Sequence, residues 1–567
     1  MSKRILIVGG VAGGASVAAR VRRLDETAEI IMFEKGPHVS FSNCSLPFHL
    51  SGIVEDADDL VLMKPEGFAS QYKIDARVHH EVLSINKTEQ TILVKNLQTG
   101  EETTEHYDEL VLSPGANPIL PRSIKGIDKK HVFTVRNVTD IDRIKKYIDN
   151  NKIEDVAVVG GGFIGLEVAE NLRIDKKNVT MVEAADQIMA PFDYDMVQLL
   201  HKEIIDNGIE LYVEDGAAEI TDEKLILQSG REIKAGAVIV AIGVLAETKL
   251  AKAAELEIGT TGGIKVNQHY QTSAPHIYAV GDVIEVTSLI TMKPTRLTLA
   301  GPAQRQARAA ADNMYNKTYR NKGVIGSSVV QCFNLNAAAT GLSEKQCKKE
   351  GIDYLTSYVI PKDMVSLMPE AKPLFFKLVF ANPSGRILGA QAIGEGNVDK
   401  RIDVIATMIT MSGDLEDLKE LELCYSPMYG TAKDVVNMAA LVGLNVLNGD
   451  FKQVPVTSVR SLVENNAFII DARNEHEYAA GHLNNAINIP LCQFRDRLNE
   501  IPKDQPVYIH CLSSQRSYNM VKALNLMGYE NIYNIMGSFM GISMYEYYND
   551  KVHDRAPIMT NYSFDRL

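Results

Sequence analysis

The stretch Glu154–Arg173, EDVAVVGGGFIGLEVAENLR, decides how the rest of the chain is read. A short apolar run, Val156–Val159, leads into Gly160, Gly162 and Gly165, and a helical apolar pattern follows. Glycine at these three places allows a tight turn, a close approach of backbone to a pyrophosphate, and close packing of helix on strand; the helix N-terminus adds positive potential. Glu183 ends the next apolar run, NVTMVEAAD. Its carboxylate can accept from both ribose hydroxyls, and its charge opposes a 2′-phosphate. Gly160, Gly162, Gly165 and Glu183 are therefore expected to hold NADH in preference to NADPH.

Toward the N-terminus the same unit recurs in Arg4–Arg23, RILIVGGVAGGASVAARVRR. Gly9 and Gly14 take the outer positions, Val11 stands at the middle one, and Glu34 (IIMFEK) supplies the ribose acceptor. Downstream, IYAVGDV (Ile277–Val283) delivers Asp282 to a turn that opens a helix, where an acid can hold the ribityl hydroxyls of a flavin. Tyr107–Pro118 (YDELVLSPGANP) reads as a buried strand ending in a turn, with Ala237–Val244 (AVIVAIGV) as its counterpart. Two parallel, helix-covered nucleotide-binding sheets follow from this repetition.

The composition, 45% hydrophobic and 23% charged over 567 residues, is that of a globular chain of several domains. A formal charge of −13 opposes general binding to nucleic acid or to an anionic membrane, and no apolar run is long enough to span a bilayer. The opening MSKRILIVGG enters a strand and glycine turn directly, without the apolar stretch and cleavage site of a signal peptide. The six cysteines (Cys44, Cys332, Cys347, Cys424, Cys492 and Cys511) are dispersed and match neither a metal-binding spacing nor a disulfide scaffold. A reducing, cytoplasmic setting and no metal site are expected.

The order of first glycine turn, PGA turn, second glycine turn and AVGD turn resembles the pyridine-nucleotide disulfide oxidoreductase family, which carries electrons from NAD(P)H through FAD to sulfur. Within it, Ser40–Phe48 (SFSNCSLPF) has a lone Cys44 where other branches place a CxxxxC pair. That spacing resembles coenzyme A disulfide reductases and their persulfide-reducing relatives over about Arg4–Val446. With no second thiol beside it, the oxidised form of Cys44 must be a mixed disulfide, a persulfide or a sulfenic acid. Ala12 stands where flavin peroxidases and oxidases carry a histidine, which removes the acid/base partner of peroxide chemistry. The Ser-Asn-Cys run is expected to form an exposed turn with a stabilised thiolate.

Arg20 and Arg23 share one helical face, and the resemblance implies that they bind coenzyme A phosphates with Ser40, Asn43 and Lys433. Tyr72 occupies a place where relatives are basic. The resemblance also implies two tyrosines reaching across a homodimer to the cysteine. Tyr425 (LCYSPMYG) matches one; Leu367 and Met368 stand where the other belongs, which favours a smaller or persulfidic substrate.

In the tail, HCLSSQRS (His510–Ser517) sets Cys511 and Arg516 around a loop after the strand PVYIH. Backbone N–H groups of such a loop can hold an anion and activate a thiol. With IDARNEHEYAAGHLNNAINIP (Ile470–Pro490), the tail resembles rhodanese domains, and Asp471 and Arg473 would brace the loop. The four residues between Cys511 and Arg516 suit sulfur; a phosphatase loop is one residue longer.

The expected fold is α/β: two Rossmann-like nucleotide-binding domains, an α+β dimerisation domain, and a C-terminal α/β rhodanese domain. The expected ranges are 1–120 and 255–323 for FAD, 121–254 for NADH, 324–446 for dimerisation and 456–567 for rhodanese. The expected activity is NADH-dependent, FAD-mediated reduction of CoA persulfide or polysulfide through Cys44, with Tyr425 assisting and Cys511 transferring sulfane sulfur. CoA-disulfide reduction proper and a flavin-based redox sensor are the alternatives. Coenzyme A enters as substrate or tightly bound group.

Overall fold

The computed structural model describes residues 2–317 and 321–564. Its fold is mixed α/β in two compact units, residues 1–186 with 212–324 and residues 187–211 with 325–567.

In the first unit a parallel sheet is ordered Ile277–Ala279, Glu109–Leu112, Arg4–Val8, Glu29–Glu34, Asp75–Val78. Its strands are near-continuous apolar runs because both faces are covered, as a parallel sheet requires. Ile5, Leu6, Ile7, Val111 and Ile277 are wholly buried. The helix Ala12–Leu24 springs from the end of the first strand and presents Val17, Ala18 and Val21 to the core. A second parallel set joins Asn178–Val182, Asp155–Val159, Ala237–Val240 and Val132–Phe133. Here the glycine turn opens the helix Phe163–Ile174. Both glycine turns thus lie at the carboxyl ends of parallel strands, where helix N-termini can face a ligand.

The second unit carries an antiparallel sheet, ordered Ser328–Cys332, Leu335–Gly341, Ile387–Gly394, Leu374–Ala381, Tyr354–Val359. The two central strands are buried along nearly their whole length, since helices Val398–Thr410 and Val435–Leu447 pack on the sheet. A second, parallel sheet follows: Lys452–Val454, Ile532–Ile535, Val507–His510, Phe468–Asp471, Ala486–Asn488. Lys377, on the antiparallel sheet, is 1% exposed. Its ammonium lies 2.8 Å from Asp195 and 3.3 Å from Asp193 and contacts Glu344. A buried cation is tolerated only when paired in this way. The same acidic segment leads into helix Tyr194–Asp206, which packs on the tail helix Ser538–Val552; Tyr194 donates to Asn549 Oδ1 at 3.0 Å.

No helix among the described residues is long and apolar enough to cross a membrane.

Candidate active sites

The two glycine turns are built alike. A Cβ added to Gly9 would lie 2.1 Å from the Ser113 carbonyl oxygen, and one on Gly160 2.5 Å from that of Ala241; both residues have positive φ, +97° and +111°. A Cβ on Gly14 or Gly165 would collide with the carbonyl of the first glycine, at 1.8 and 1.9 Å. These four positions hold the turn and helix against the strand. Gly162 differs: it is exposed, and an added Cβ meets nothing within 4 Å. Its need for glycine is therefore external, which fits a pyrophosphate lying over it. In the first turn the corresponding Val11 is the N-cap of its helix, with no side-chain cap.

Both acids anchor their own turns. Glu34 accepts from the Gly10 N–H at 3.0 Å and the Gly36 N–H at 2.8 Å. Glu183 accepts from Gly161 at 2.7 Å and Ala185 at 2.8 Å. Each carboxylate keeps further lone pairs for ribose hydroxyls. Asp282 follows Gly281, whose N–H donates to Gln306 Oε1 at 2.8 Å. Burial raises the Asp282 carboxyl, against the pull of Arg296; hydroxyl donors from a ligand would resolvate it. These residues fit a flavin dinucleotide in the first turn and a nicotinamide dinucleotide in the second.

Cys44 lies in a 3-10 turn, Asn43–His49, and is exposed, as the Ser-Asn-Cys run predicts. The expected stabilised thiolate is not found. Burial by the surrounding walls, and then the charges of Glu167 and Asp282, push the Cys44 thiol up. A flanking cation would lower a thiol; this one faces two acids. Glu167, unrecognised in the sequence, lies on helix Phe163–Ile174, which packs against the cysteine turn. Burial and the neighbouring Glu170 raise its carboxyl to about 7. The available signal was an acid set directly after a glycine turn in an otherwise apolar stretch, LEVA.

Arg20, Arg23 and Ser40 line one pocket of about 410 Å³, with Tyr72 and Arg308 on the same wall. Arg20 is held by Asp312 at 2.6 Å, and the Arg23 guanidinium sits 5.9 Å from the Tyr72 ring centroid. Arg308 was not singled out, although it lies four residues after Gln304 and so shares its helical face; both line the pocket. Asn43 does not line it: its amide approaches the Arg136 carbonyl at 3.4 Å. Tyr425 and Lys433 lie in the second unit, both exposed, and Leu367 there is 83% exposed.

In the tail, Cys511 follows the strand Val507–His510 and is 1% exposed. Its N–H donates to Ser538 Oγ at 3.1 Å. The hydroxyls of Ser517 and Ser538 lie 3.6 and 3.9 Å from its sulfur. Ser514, at φ +75°, turns the chain into helix Gln515–Leu526. Asp471 and Arg473 are buried and pair with each other at 2.6 Å, and Arg473 also donates to the Gly481 carbonyl at 2.6 Å. They meet the loop through backbone, where the Ala472 N–H donates to the His510 carbonyl at 2.8 Å, and through the His510 ring, 3.9 Å from the Asp471 carboxylate. Arg516 is bound in bidentate fashion by Glu477, at 2.6 and 2.7 Å. Sequence reading had not singled out Glu477, Ser517 or Ser538.

Residues 3–307 match the pyridine nucleotide-disulphide oxidoreductase family, residues 327–434 its dimerisation domain, and residues 456–544 a rhodanese-like domain. The chain is 32% identical over 437 residues to a coenzyme A disulfide reductase of Staphylococcus haemolyticus, covering 77% of this chain and 98% of that one. The crystal structure of reduced Bacillus anthracis CoADR-RHD superposes with a TM-score of 0.93 at 44% identity, covering 96% of this chain and 98% of that one. An NAD-dependent persulfide reductase from A. fulgidus superposes with a TM-score of 0.91 at 30% identity, covering 95% and 99%. With two glycine turns, an exposed cysteine between them and matches of this extent, the chain belongs to the pyridine nucleotide-disulphide oxidoreductase family and ends in a rhodanese-like domain.

Proposed function

We propose that the chain is an NADH-dependent flavoprotein that reduces CoA persulfide and related sulfur substrates at Cys44, with sulfane sulfur carried by Cys511. The carrying observation is a lone, exposed cysteine in the same unit as two nucleotide turns and a pocket lined by Arg20, Arg23 and Ser40. Bound FAD would supply the passage of an electron pair from the nicotinamide to sulfur. Gly160, Gly162, Gly165 and Glu183 would hold NADH, and Gly9, Gly14, Glu34 and Asp282 the flavin.

The pocket's arginines would bind the phosphates of coenzyme A, since a guanidinium fork matches phosphate oxygens. Thiolate Cys44 then attacks the sulfur of a CoA persulfide or disulfide, and the leaving sulfur needs a proton. Glu167, whose carboxyl titrates at about 7, is suited to take up and return that proton near the turn. Tyr425 of one protomer would reach Cys44 of the other in a homodimer, with Lys433 and Asn43 adding polar contacts. Asp471, Arg473 and Arg516 shape the Cys511 loop. A reducing, cytoplasmic setting keeps both working thiols free.

The name borne by the Staphylococcus haemolyticus relative favours a second reading, reduction of CoA disulfide. Product analysis separates the two: sulfide from CoA persulfide supports the first, turnover of CoA disulfide alone the second. A Cys44→Ser variant that keeps full NADH-dependent sulfide release would refute the role of that residue.

A further inference from the structure

The Cys511 loop is held by one short segment, and that segment leans on the antiparallel sheet. The Cys511 N–H donates to Ser538 Oγ at 3.1 Å, the Phe539 N–H to the Cys511 carbonyl at 3.0 Å, and the Met540 N–H to the Leu512 carbonyl at 3.1 Å. Ser538 Oγ also lies 3.1 Å from Ser514 Oγ, at the turn into helix Gln515–Leu526, and 3.9 Å from the Cys511 sulfur. Residues 538–540 therefore set the path of the loop. Together with Ser517 and the Arg516 guanidinium, Ser538 sets what meets the sulfur. The segment's own conformation needs support from outside. Gly537 and Ser538 are both left-handed, at φ +70° and +49°, and a serine is kept there only where its surroundings impose it.

Tyr358, on the strand Tyr354–Val359, supplies that constraint. It is buried, and a Cβ added to Gly537 or Gly541 would lie 2.7 or 3.5 Å from its ring. The Gly541 N–H donates to the Gly537 carbonyl at 2.9 Å, so the ring seats against the first turn of helix Ser538–Val552, where glycine leaves it room. The Gln453 amide donates to the Thr356 carbonyl at 3.0 Å, fastening the tail's strand Lys452–Val454 to the same sheet strand.

We infer that Tyr358 is a positioning residue for Cys511: its ring, set against Gly537 and Gly541, fixes Ser538 and through it the thiol. This deepens the proposed function and rests on its reading of Cys511 as a sulfur carrier. In that step the Cys511 sulfur attacks the outer sulfur of a persulfide R–S–S–H, the donor S–S bond breaks, Cys511–S–S–H forms, and R–S–H leaves with the proton of the cysteine. Cyanide then takes the outer sulfur as thiocyanate and returns the Cys511 thiol. Removing the ring opens a space beneath Gly537 into which residues 537–540 can relax. A displacement of about 1 Å at the nucleophile slows such an attack about ten- to a hundredfold.

The test uses the full chain with glutathione persulfide as donor and cyanide as acceptor, reads thiocyanate, and follows NADH oxidation with CoA persulfide in parallel. Tyr358→Leu is expected to lower the kcat of sulfur transfer at least about tenfold, with the donor KM and the NADH-dependent rate within about twofold of wild type. Tyr358→Phe, which keeps the ring, should transfer sulfur as wild type does. Tyr358→Met gives the same comparison if the leucine protein does not fold, since methionine adapts to an irregular space without replacing the ring. Wild-type transfer in a folded ring-less variant overturns the inference, as does an equal loss of both activities or a phenylalanine protein as impaired as the leucine one. Cys511→Ser separates the failures: transfer that survives it sinks the carrier reading itself, whereas Cys511-dependent transfer indifferent to residue 358 sinks only the positioning role.

Discussion

Replacing Glu167 with Gln keeps the shape of the side chain and removes one ionisation beside Cys44. In the folded chain that carboxyl titrates at about 7 instead of the ordinary 4.5. At about 1.4 kcal/mol per pH unit the difference is roughly 3 kcal/mol of disfavour for the charged form. A raised carboxyl binds its proton more tightly folded than unfolded, so the cost is absent below pH 4.5, grows through the interval, and is fully present above about 7. Only in that upper range does Glu167 bear on the cysteine, whose thiol it helps to hold up. Glutamine should therefore leave Cys44 unchanged at pH 5.5 and make it more acidic at pH 8, by about half to one pH unit for the loss of one nearby like charge. The readout is the rate of iodoacetamide labelling of the Cys44 peptide, followed by mass spectrometry across that range. A variant-to-wild-type ratio near one at pH 5.5, rising about three- to tenfold by pH 8 with its midpoint near 7, is expected. A flat ratio would refute the coupling, and with it the placement of a proton on Glu167.

The two kinds of glycine predict different failures. Gly160→Ala should destabilise the fold, since its new methyl would meet the Ala241 carbonyl at 2.5 Å from a backbone at φ +111°; Gly162→Ala should leave the melting temperature unchanged and raise the KM for NADH about tenfold or more. Lys377→Met removes the cation that pairs with buried Asp193 and Asp195 and half-buried Glu344 and should cost about 3–5 kcal/mol in urea denaturation. Adding Asp195→Asn should recover part of that loss, because one of the unpaired charges goes with it. Asp471→Ala leaves Arg473 buried without its partner, and limited proteolysis should then cut the tail at concentrations that spare the wild type.

The elements that determine nucleotide binding were open to sequence reading because their constraint is local. A glycine at Gly165 is demanded by the Gly160 carbonyl only a few residues away, one at Gly160 by its own positive φ, and Glu183 reaches back to a turn its own strand adjoins. Cys44 was legible as a lone thiol, and its exposure followed from the polar residues around it. Its acidity was not, since the thiol responds to Glu167 and Asp282, which are far away along the chain. Arg516 shows the same limit in the tail. The loop pattern marks it as the basic residue, but only the fold reveals that Glu477, 39 residues upstream, already holds it. Likewise nothing in the run Tyr194–Asp206 announces that its helix packs against Ser538–Val552.

Helix Val435–Leu447 has a consequence for anyone dissecting the chain. Its Val442 and Val446 pack against the core formed by Phe451, Ile470, Ile509 and Met520, and the Asn445 amide donates to Tyr518 at 3.0 Å. Nearby, Gly537 approaches the Tyr358 ring so closely that an added Cβ would lie 2.7 Å from it. A fragment stopped after this helix would carry an oily flank where the rhodanese-like domain had been, and should self-associate. Silencing Cys511 by point substitution is the cleaner way to learn what the tail contributes.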